Sequence, residues 1–278
     1  MQDLSLSDNK ELMSESDISL LPPSGGGLAS YTLHLADTTL ILAQRNAEWC
    51  AHGPILEQDI AITNISLDLI GQARNFYQYA AVLINGQAVE GTPTVDEDQL
   101  AYLRKEREFK NLLLVEQPNG DWAQTVLRQF FFSQYQYLLF EKLQYSGDQQ
   151  LAAIAAKGIK ETKYHVRWSS EWVVRLGDGT EESKARMEKA LKELWPYTGE
   201  MFVNASYESA SNNAIVDCTS LKDEWLTKVT SVLTEATLTL PENTFMQSGG
   251  KEGIHTEHLG FILAELQYLQ RTYPDSEW

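Results

Sequence analysis

The sequence is poor in cysteine, in basic residues and in long apolar runs, and each shortage excludes a class of protein. Two cysteines in 278 residues are too few for a disulfide framework and favour free thiols in a reducing compartment. The 22 Lys and Arg face 39 Asp and Glu, a net charge of −17, which disfavours nucleic acid and anionic membranes as partners. Because no run of about 18 apolar residues and no secretory signal is present, we expect a cytoplasmic protein that does not enter a membrane.

The first 29 residues differ from the rest of the chain. Five acidic residues face a single Lys10 there, aromatic residues are missing, and the stretch ends in PPSGGG. Such a segment buries too little apolar surface to offset the entropy of ordering it. We therefore predict a flexible acidic tail over residues 1–29 and one folded domain over 30–278.

The folded part carries helical periodicity almost throughout and no Gly-rich phosphate loop. The predicted helices cover about 30–49, 56–84, 97–113, 121–145, 148–176, 181–204, 219–238 and 255–272. Pro196 is expected to kink the helix that contains it. Long helices joined by short connections predict an all-α bundle with antiparallel neighbours.

One predicted helix, around IKETKYHVRW (159–168), resembles half of an iron site. Ferritin-like carboxylate proteins hold two irons with a Glu from each of two helices and a Glu-x-x-His from each of two others. Here Glu161 is followed three places later by Tyr164, and His165 is preceded three places earlier by Thr162. Each pair therefore lacks one of its two ligands.

The helix predicted over 56–84 lacks the second motif as well. Its candidate pairs are Asp68 with Gly71 and Leu69 with Gln72, and neither joins a carboxylate to a histidine. Since buried carboxylates without a cation cost several kcal/mol each, a core that has lost its metal should hold apolar groups or paired charges. The nearby charges available for pairing are Arg45, Glu48, Asp68, Arg74 and Lys160.

Two other histidine-containing stretches are possible sites. His255-x-x-His258, with Glu252 or Glu257 nearby, has a spacing that some zinc sites use, but it lacks further ligands in order. We interpret it as a glycine turn followed by the start of a helix. Cys50 and His52 could form a nucleophilic pair only through a loop, and a buried structural cysteine is the preferred interpretation.

The remaining candidates are surface or core features. FFFSQYQYLLF (130–140), with Trp122, could line an aromatic substrate pocket, but aromatic residues around several faces of a helix favour a core helix or a subunit interface. RKEREFK (104–110) alternates charge and offers no basic cluster for the phosphates of coenzyme A. It is interpreted as a solvated helix face.

Four long stretches, in this order, together resemble the phenylacetate-catabolism protein C family, the structural subunit of the bacterial 1,2-phenylacetyl-CoA epoxidase. They are YTLHLADTTLILAQRNAEWCAHGPILEQDIAITNISLDLIGQARNFYQYAA, NLLLVEQPNGDWAQTVLRQFF, IKETKYHVRWSSEWVVRLGDGT and GGKEGIHTEHLGFILAELQYLQR. The resemblance covers about residues 30–278.

The resemblance implies a ferritin-like bundle that pairs with a homologous catalytic subunit and with further epoxidase components. That sister chain would carry the di-iron centre and the phenylacetyl-CoA pocket, and a reductase with flavin and iron–sulfur groups would deliver electrons from NADPH. It also implies that Leu69, Gln72 and Thr162 stand where the sister chain has ligands, and that His165 alone keeps its position. We therefore expect no metal, cofactor or catalytic residue in this chain.

Two alternatives remain open at this point. The chain could be an autonomous metal-dependent oxidase whose non-standard centre uses Glu48, Glu161 and His165. It could also be a module that binds coenzyme A thioesters without chemistry. Metal analysis and co-purification with the sister chain separate both from the structural subunit.

Overall fold

The computed structural model describes residues 26–210, 213–274 and 276, and within these residues it contains helices and no strands. Four long helices form the centre of the fold: α1 (Gly27–Ala47), α2 (Leu56–Asn85), α5 (Trp122–Leu143) and α6 (Gln149–Gly177). α1 packs along α2, α5 packs along α6, and α2 also contacts α6. This is the ferritin-like arrangement that the family resemblance implies.

Local signals set the ends of the long helices. The side chain of Asp121 accepts a hydrogen bond from Gln124 N at the start of α5, and that of Asp148 accepts one from Leu151 N at the start of α6. Such N-caps satisfy backbone donors that the helix leaves free. Between α1 and α2, a Cβ added at Gly53 would lie 2.7 Å from the backbone of Asp59, so this tight turn requires glycine.

The aromatic stripe lies inside the molecule rather than around a pocket. Phe130, Phe131 and Phe140 are fully buried, and Phe131 packs against Trp195 and Trp225. α5 is covered by α6 and by the helices Leu113–Glu116, Glu181–Leu194 and Lys222–Glu235, which explains why its sequence is apolar on more than one face. The interpretation of the stripe as core is confirmed.

The prediction of one helix over 97–113 is wrong beyond its first turns. α3 (Glu97–Tyr102) begins with an Asp96 capping box and ends early, and a 3-10 turn (Glu106–Glu108) and the short α4 (Leu113–Glu116) follow. The chain leaves the helix because the following segment crosses α1. Lys110 N donates to Asp37 Oδ2 over 2.8 Å, and Leu112 N donates to the hydroxyl of Thr38 over 3.3 Å.

Pro196 ends its helix instead of kinking it. α7 (Glu181–Leu194) stops two residues before the proline, and 3-10 turns at Trp195–Tyr197 and Gly199–Phe202 replace the predicted continuation to 204. Proline lacks the N–H that the helix would need, and its ring clashes with the preceding turn.

The last elements differ from the prediction only in detail. α8 (Lys222–Glu235) is preceded by a 3-10 turn at Cys218–Leu221. The helix predicted over 255–272 is divided into α9 (Glu257–Leu266) and α10 (Tyr268–Thr272). The break falls at Gln267, which is buried and donates from Nε2 to Arg104 O over 3.1 Å.

Residues 1–25 of the acidic tail predicted over 1–29 lie outside the described residues. Gly27–Ala29, the end of that segment, form the first turn of α1, and Ala29 is buried. In the part of the chain that the structure describes, no helix is long and apolar enough to cross a membrane.

Candidate functional site

The candidate site is the place inside the bundle where α2 and α6 would present metal ligands. Leu69 and Thr162 are fully buried there, as is His165, and Gln72 is nearly so. Close packing of α2 and α6 brings these positions together: a Cβ added at Gly158 would lie 3.5 Å from Cδ of Gln72. The fold therefore holds all four positions in the core, as a ligand set would require.

Three uncharged side chains and one half-buried carboxylate meet at this site and bind one another. Gln72 Nε2 donates to Glu161 Oε2 over 2.8 Å, and Gln136 Nε2 of α5 donates to Gln72 Oε1 over 3.0 Å. The hydroxyl of Thr162 lies 3.3 Å from Gln136 Oε1 and 3.0 Å from Gly158 O, and its single proton serves these two acceptors. We call Thr162, Gln136, Gln72 and Glu161 the amide chain. It satisfies its own polar groups and needs no cation.

His165, the one ligand position that the family resemblance implies is kept, is paired with a carboxylate. Its Nε2 lies 3.1 Å from Asp68 Oδ2, with the histidine side chain fully buried and that of Asp68 36% exposed. Nδ1 of His165 has no hydrogen-bond partner among the described residues. A single free imidazole nitrogen is one donor, whereas structural zinc takes four protein ligands and catalytic zinc takes three.

α1 and α5, which would each supply a bridging Glu, supply none to the interior. The only carboxylate within α1 is Asp37 and the only one within α5 is Glu141. Asp37 accepts hydrogen bonds from Tyr77 and Arg104, and Glu141 is partly exposed. The side chains that link α1 to α5 are amides: Asn46 Nδ2 donates to Gln129 Oε1 over 2.7 Å.

The void that lies beside these residues is too small for a substrate. A void of about 10 Å³ lies between α1, α2 and α5 and is lined among others by His34, Thr39, Phe76 and Gln136. That volume corresponds to roughly one water molecule. Within the described residues, no group of three or more His, Cys, Asp and Glu side chains is placed to hold a metal ion. The residues present therefore do not fit a di-iron centre.

Comparison with known proteins gives this fold a family. The family described as "Phenylacetic acid catabolic protein" matches residues 24–278. The chain belongs to that family. It is also 49% identical over 253 residues to a subunit of 1,2-phenylacetyl-CoA epoxidase from Escherichia coli (strain K12), a match covering 90% of this chain and 99% of the relative. The resemblance seen in the four sequence stretches is confirmed.

The alternative oxidase centre is not assembled in this member of the phenylacetic acid catabolic protein family. Glu48 is bound to Arg45 and to Asn119 Nδ2, the latter over 2.7 Å. Glu161 and His165 are bound to side chains of α2 instead. The three proposed ligands thus have separate partners and do not converge on one ion.

The His255-x-x-His258 stretch is a structural link, as interpreted from the sequence. Both ring nitrogens of His255 are used, Nδ1 with Glu116 Oε2 at 3.0 Å and Nε2 with Phe109 O at 2.9 Å. Burial would lower the pKa of His255, but the hydrogen bond and charge of Glu116 outweigh it and raise that pKa. This histidine ties the start of α9 to the bundle.

Two interpretations of single residues were wrong. Cys50 is exposed rather than buried, because α1 ends at Ala47 and the chain turns outward, with Ala51 in the left-handed region. His52 binds the carbonyl of Cys50, not its thiol. Arg104, expected on a solvated helix face, is fully buried and paired with Asp37.

Buried carboxylates that the sequence did not indicate stabilise the second half of the chain. Lys251 Nζ lies 3.0 Å from Glu208. Glu200 accepts hydrogen bonds from the backbone of Leu113 and Gly249. Burial raises the pKa of Glu200, and these backbone donors partly offset the shift. Partners 43 and more residues apart in sequence leave no periodic signal, so only the fold reveals them.

Proposed function

We propose that this chain is a structural, non-catalytic subunit of a 1,2-phenylacetyl-CoA epoxidase and that it pairs with a homologous subunit that carries the di-iron centre. The observation that carries the proposal is the amide chain. Thr162, Gln136 and Gln72 fill the bundle interior with neutral groups whose hydrogen bonds are already made.

A di-iron centre has electrostatic needs that this interior does not meet. Two ferrous ions bring four positive charges, which bridging and terminal carboxylates neutralise. Here the amide chain offers one carboxylate, that of Glu161, which Gln72 already engages. Admitting an ion would break the hydrogen bonds between these amides. Buried polar groups would then lack partners, which costs about 1–3 kcal/mol for each group.

The relative from Escherichia coli supports the identity of the reaction in the proposed complex, because it is a subunit of 1,2-phenylacetyl-CoA epoxidase. In the proposed assembly the homologous subunit binds the coenzyme A thioester and activates oxygen. A reductase with flavin and iron–sulfur groups brings two electrons from NADPH. One oxygen atom of O₂ enters the aromatic ring as an epoxide, and the other is reduced to water. The assembly is proposed to be cytoplasmic.

The proposal is tested by co-expression. The chain is produced alone and together with the homologous subunit of its own organism that carries two carboxylate-x-x-His motifs, and both samples are examined by size-exclusion chromatography with metal analysis. A stable complex at micromolar concentration, with all iron in the homologous subunit, supports the proposal. Separate elution of the two chains, or oxygen consumption by this chain alone, contradicts it.

A further inference from the structure

α2 presents a row of large aliphatic side chains to solvent. Leu56 is 71% exposed, Ile60 51% and Leu67 59%. Their spacing of four and seven residues places them on one side of the helix, opposite the side that α1 covers. Scattered exposed apolar residues are ordinary on protein surfaces, but three large ones aligned on one side of a single helix favour an interaction site.

α6 presents a row of basic side chains. Lys157, Lys160, Lys163 and Arg167 are all exposed and recur every three or four residues. In the part of the chain that the structure describes, the three lysines make no ion pair within 4.0 Å, whereas Arg167 lies 4.0 Å from Glu171. These cations are concentrated on one helix of a chain with a net charge of −17.

The two rows belong to one face of the molecule. α2 and α6 run antiparallel and are joined along their length, by Gln58 with Trp168 near one end and by Tyr79 with Asp148 near the other. The carboxylates of Asp68 and Glu161 lie between the rows. We call this surface, formed by the aliphatic row of α2 and the basic row of α6, the α2/α6 face.

A second copy of this chain would be a poor occupant of the α2/α6 face. A two-fold contact presents the same surface from both sides, so the basic row could find acidic partners only within the face itself. The carboxylates between the rows are already bound, Asp68 to His165 and Glu161 to Gln72. A different chain can bring acidic residues to the basic row and apolar residues to the aliphatic row.

We propose that the α2/α6 face is the docking surface for the homologous di-iron subunit, and that it receives an amphipathic helix whose apolar side is flanked by Asp and Glu. This inference rests on the proposed function and adds the location and the chemistry of the contact. The aliphatic row supplies buried area, and the basic row fixes register and accelerates encounter. Docking also buries the exposed part of the Asp68 side chain, which shields the core around His165 from solvent.

Three variants test the α2/α6 face in the full complex. Leu67→Glu places a charge in the aliphatic row, and Lys160→Glu reverses one charge of the basic row. Phe261→Glu is the matched control, because Phe261 is 67% exposed on α9. Circular dichroism and thermal unfolding of each free chain should match the wild type, since all three side chains are exposed.

Isothermal titration with the homologous subunit measures the affinity, and stopped-flow mixing of the two chains measures the association rate. Leu67→Glu is expected to weaken binding about 30-fold or more, the effect of losing a central contact residue. Lys160→Glu should slow association and reduce its dependence on ionic strength. Carbodiimide cross-linking followed by mass spectrometry should join Lys157, Lys160 or Lys163 to carboxylates of the homologous subunit.

The outcomes separate this inference from the proposed function. If the wild-type chains do not bind at all, the proposed function fails and the α2/α6 face fails with it. If the wild-type chains bind but Leu67→Glu binds equally well, only the α2/α6 face is overturned. Equal weakening by Phe261→Glu, or cross-links that avoid the three lysines, would overturn it too.

Discussion

Gln72 on α2 donates a hydrogen bond to Glu161 on α6 over 2.8 Å, and this contact joins the two helices from which a ferritin-like di-iron protein draws its carboxylate-x-x-His motifs. In such a protein both helices would hold ions with charged ligands. Here an amide and a carboxylate hold the helices directly. The interior is therefore stabilised by hydrogen bonds where a metal protein uses coordination.

Removing Gln72 should destabilise the fold. In Gln72→Leu, the buried Gln136 loses a partner inside the bundle and the half-buried Glu161 loses one at its edge, and an unsatisfied buried group costs about 1–3 kcal/mol. We expect the free energy of unfolding in urea to fall by about 2–4 kcal/mol. Gln78→Leu is the matched control, because Gln78 makes its hydrogen bond at the exposed side of the same helix and should cost under about 0.5 kcal/mol. Equal losses of unfolding free energy in the two variants would show that the hydrogen bonds of the amide chain stabilise the fold no more than an exposed one does.

A carboxylate restored on α6 should be harmful rather than useful. Thr162→Glu recreates Glu-x-x-His with His165, at a position that is fully buried. Without cations to neutralise it, the new charge should cost about 3–5 kcal/mol of unfolding free energy, whereas Thr162→Val should cost about 1 kcal/mol. The check is urea unfolding of both variants with and without ferrous iron. Full rescue of Thr162→Glu by iron would mean that the remaining residues do form a metal site.

The buried pair of Asp37 and Arg104 should behave as a single unit. Both side chains are fully buried, and Tyr77 also donates to Asp37 over 2.6 Å. Arg104→Met leaves an uncompensated charge on Asp37 and should cost about 3–5 kcal/mol. Adding Asp37→Asn should recover about 1–3 kcal/mol of that loss, because neighbouring sites couple. Denaturant unfolding of the two single variants and the double variant measures the coupling, and strictly additive values would contradict it.

His34 should make the protein sensitive to acid. Burial, followed by the charge of Lys251, lowers its pKa from 6.5 to about 3, and its Nδ1 donates to Lys110 O over 2.7 Å. The folded state therefore holds His34 neutral while the unfolded state takes up a proton below about pH 6.5. The stabilising contribution is present above pH 6.5 and is lost as the pH falls toward 3, by about 1.4 kcal/mol per pH unit.

The comparison that isolates His34 is His34→Asn, whose amide can donate to the same carbonyl. Unfolding free energies of both proteins are measured from pH 7 down to about pH 4. The wild type should lose stability faster by about 1.4 kcal/mol per pH unit, and the contribution of His255, which is present in both, cancels. Parallel curves would show that His34 does not titrate on unfolding.

The long helices could be predicted from sequence because they depend on local information. The bounds of α2 follow from apolar periodicity, and the predicted helix over 148–176 agrees with α6. The absence of a carboxylate-x-x-His pair at Leu69, Gln72 and Thr162 can be read directly from the sequence once a ligand spacing is assumed, and the loss of a metal site there stays a prediction. The role of Gln136 could not be predicted from sequence, because α5 contacts Gln72 only in the packed bundle.

The errors arise where distant contacts override local preference. Arg104 sits in a charged stretch with helical appearance, but its partner Asp37 is 67 residues away. The contact of Arg104 with Asp37 explains why α3 ends before Arg104. Cys50 has a hydrophobic character typical of core positions, yet the end of α1 puts it in an exposed turn. A single sequence carries no trace of either constraint.

The iron content of the two chains after they are separated from a jointly purified complex tests the central claim most directly. The account predicts about two irons for each homologous subunit, the number a di-iron bundle holds, and none retained by this chain. Iron bound between α2 and α6 of this chain, at a comparable level, would contradict the claim that the amide chain has replaced a metal centre.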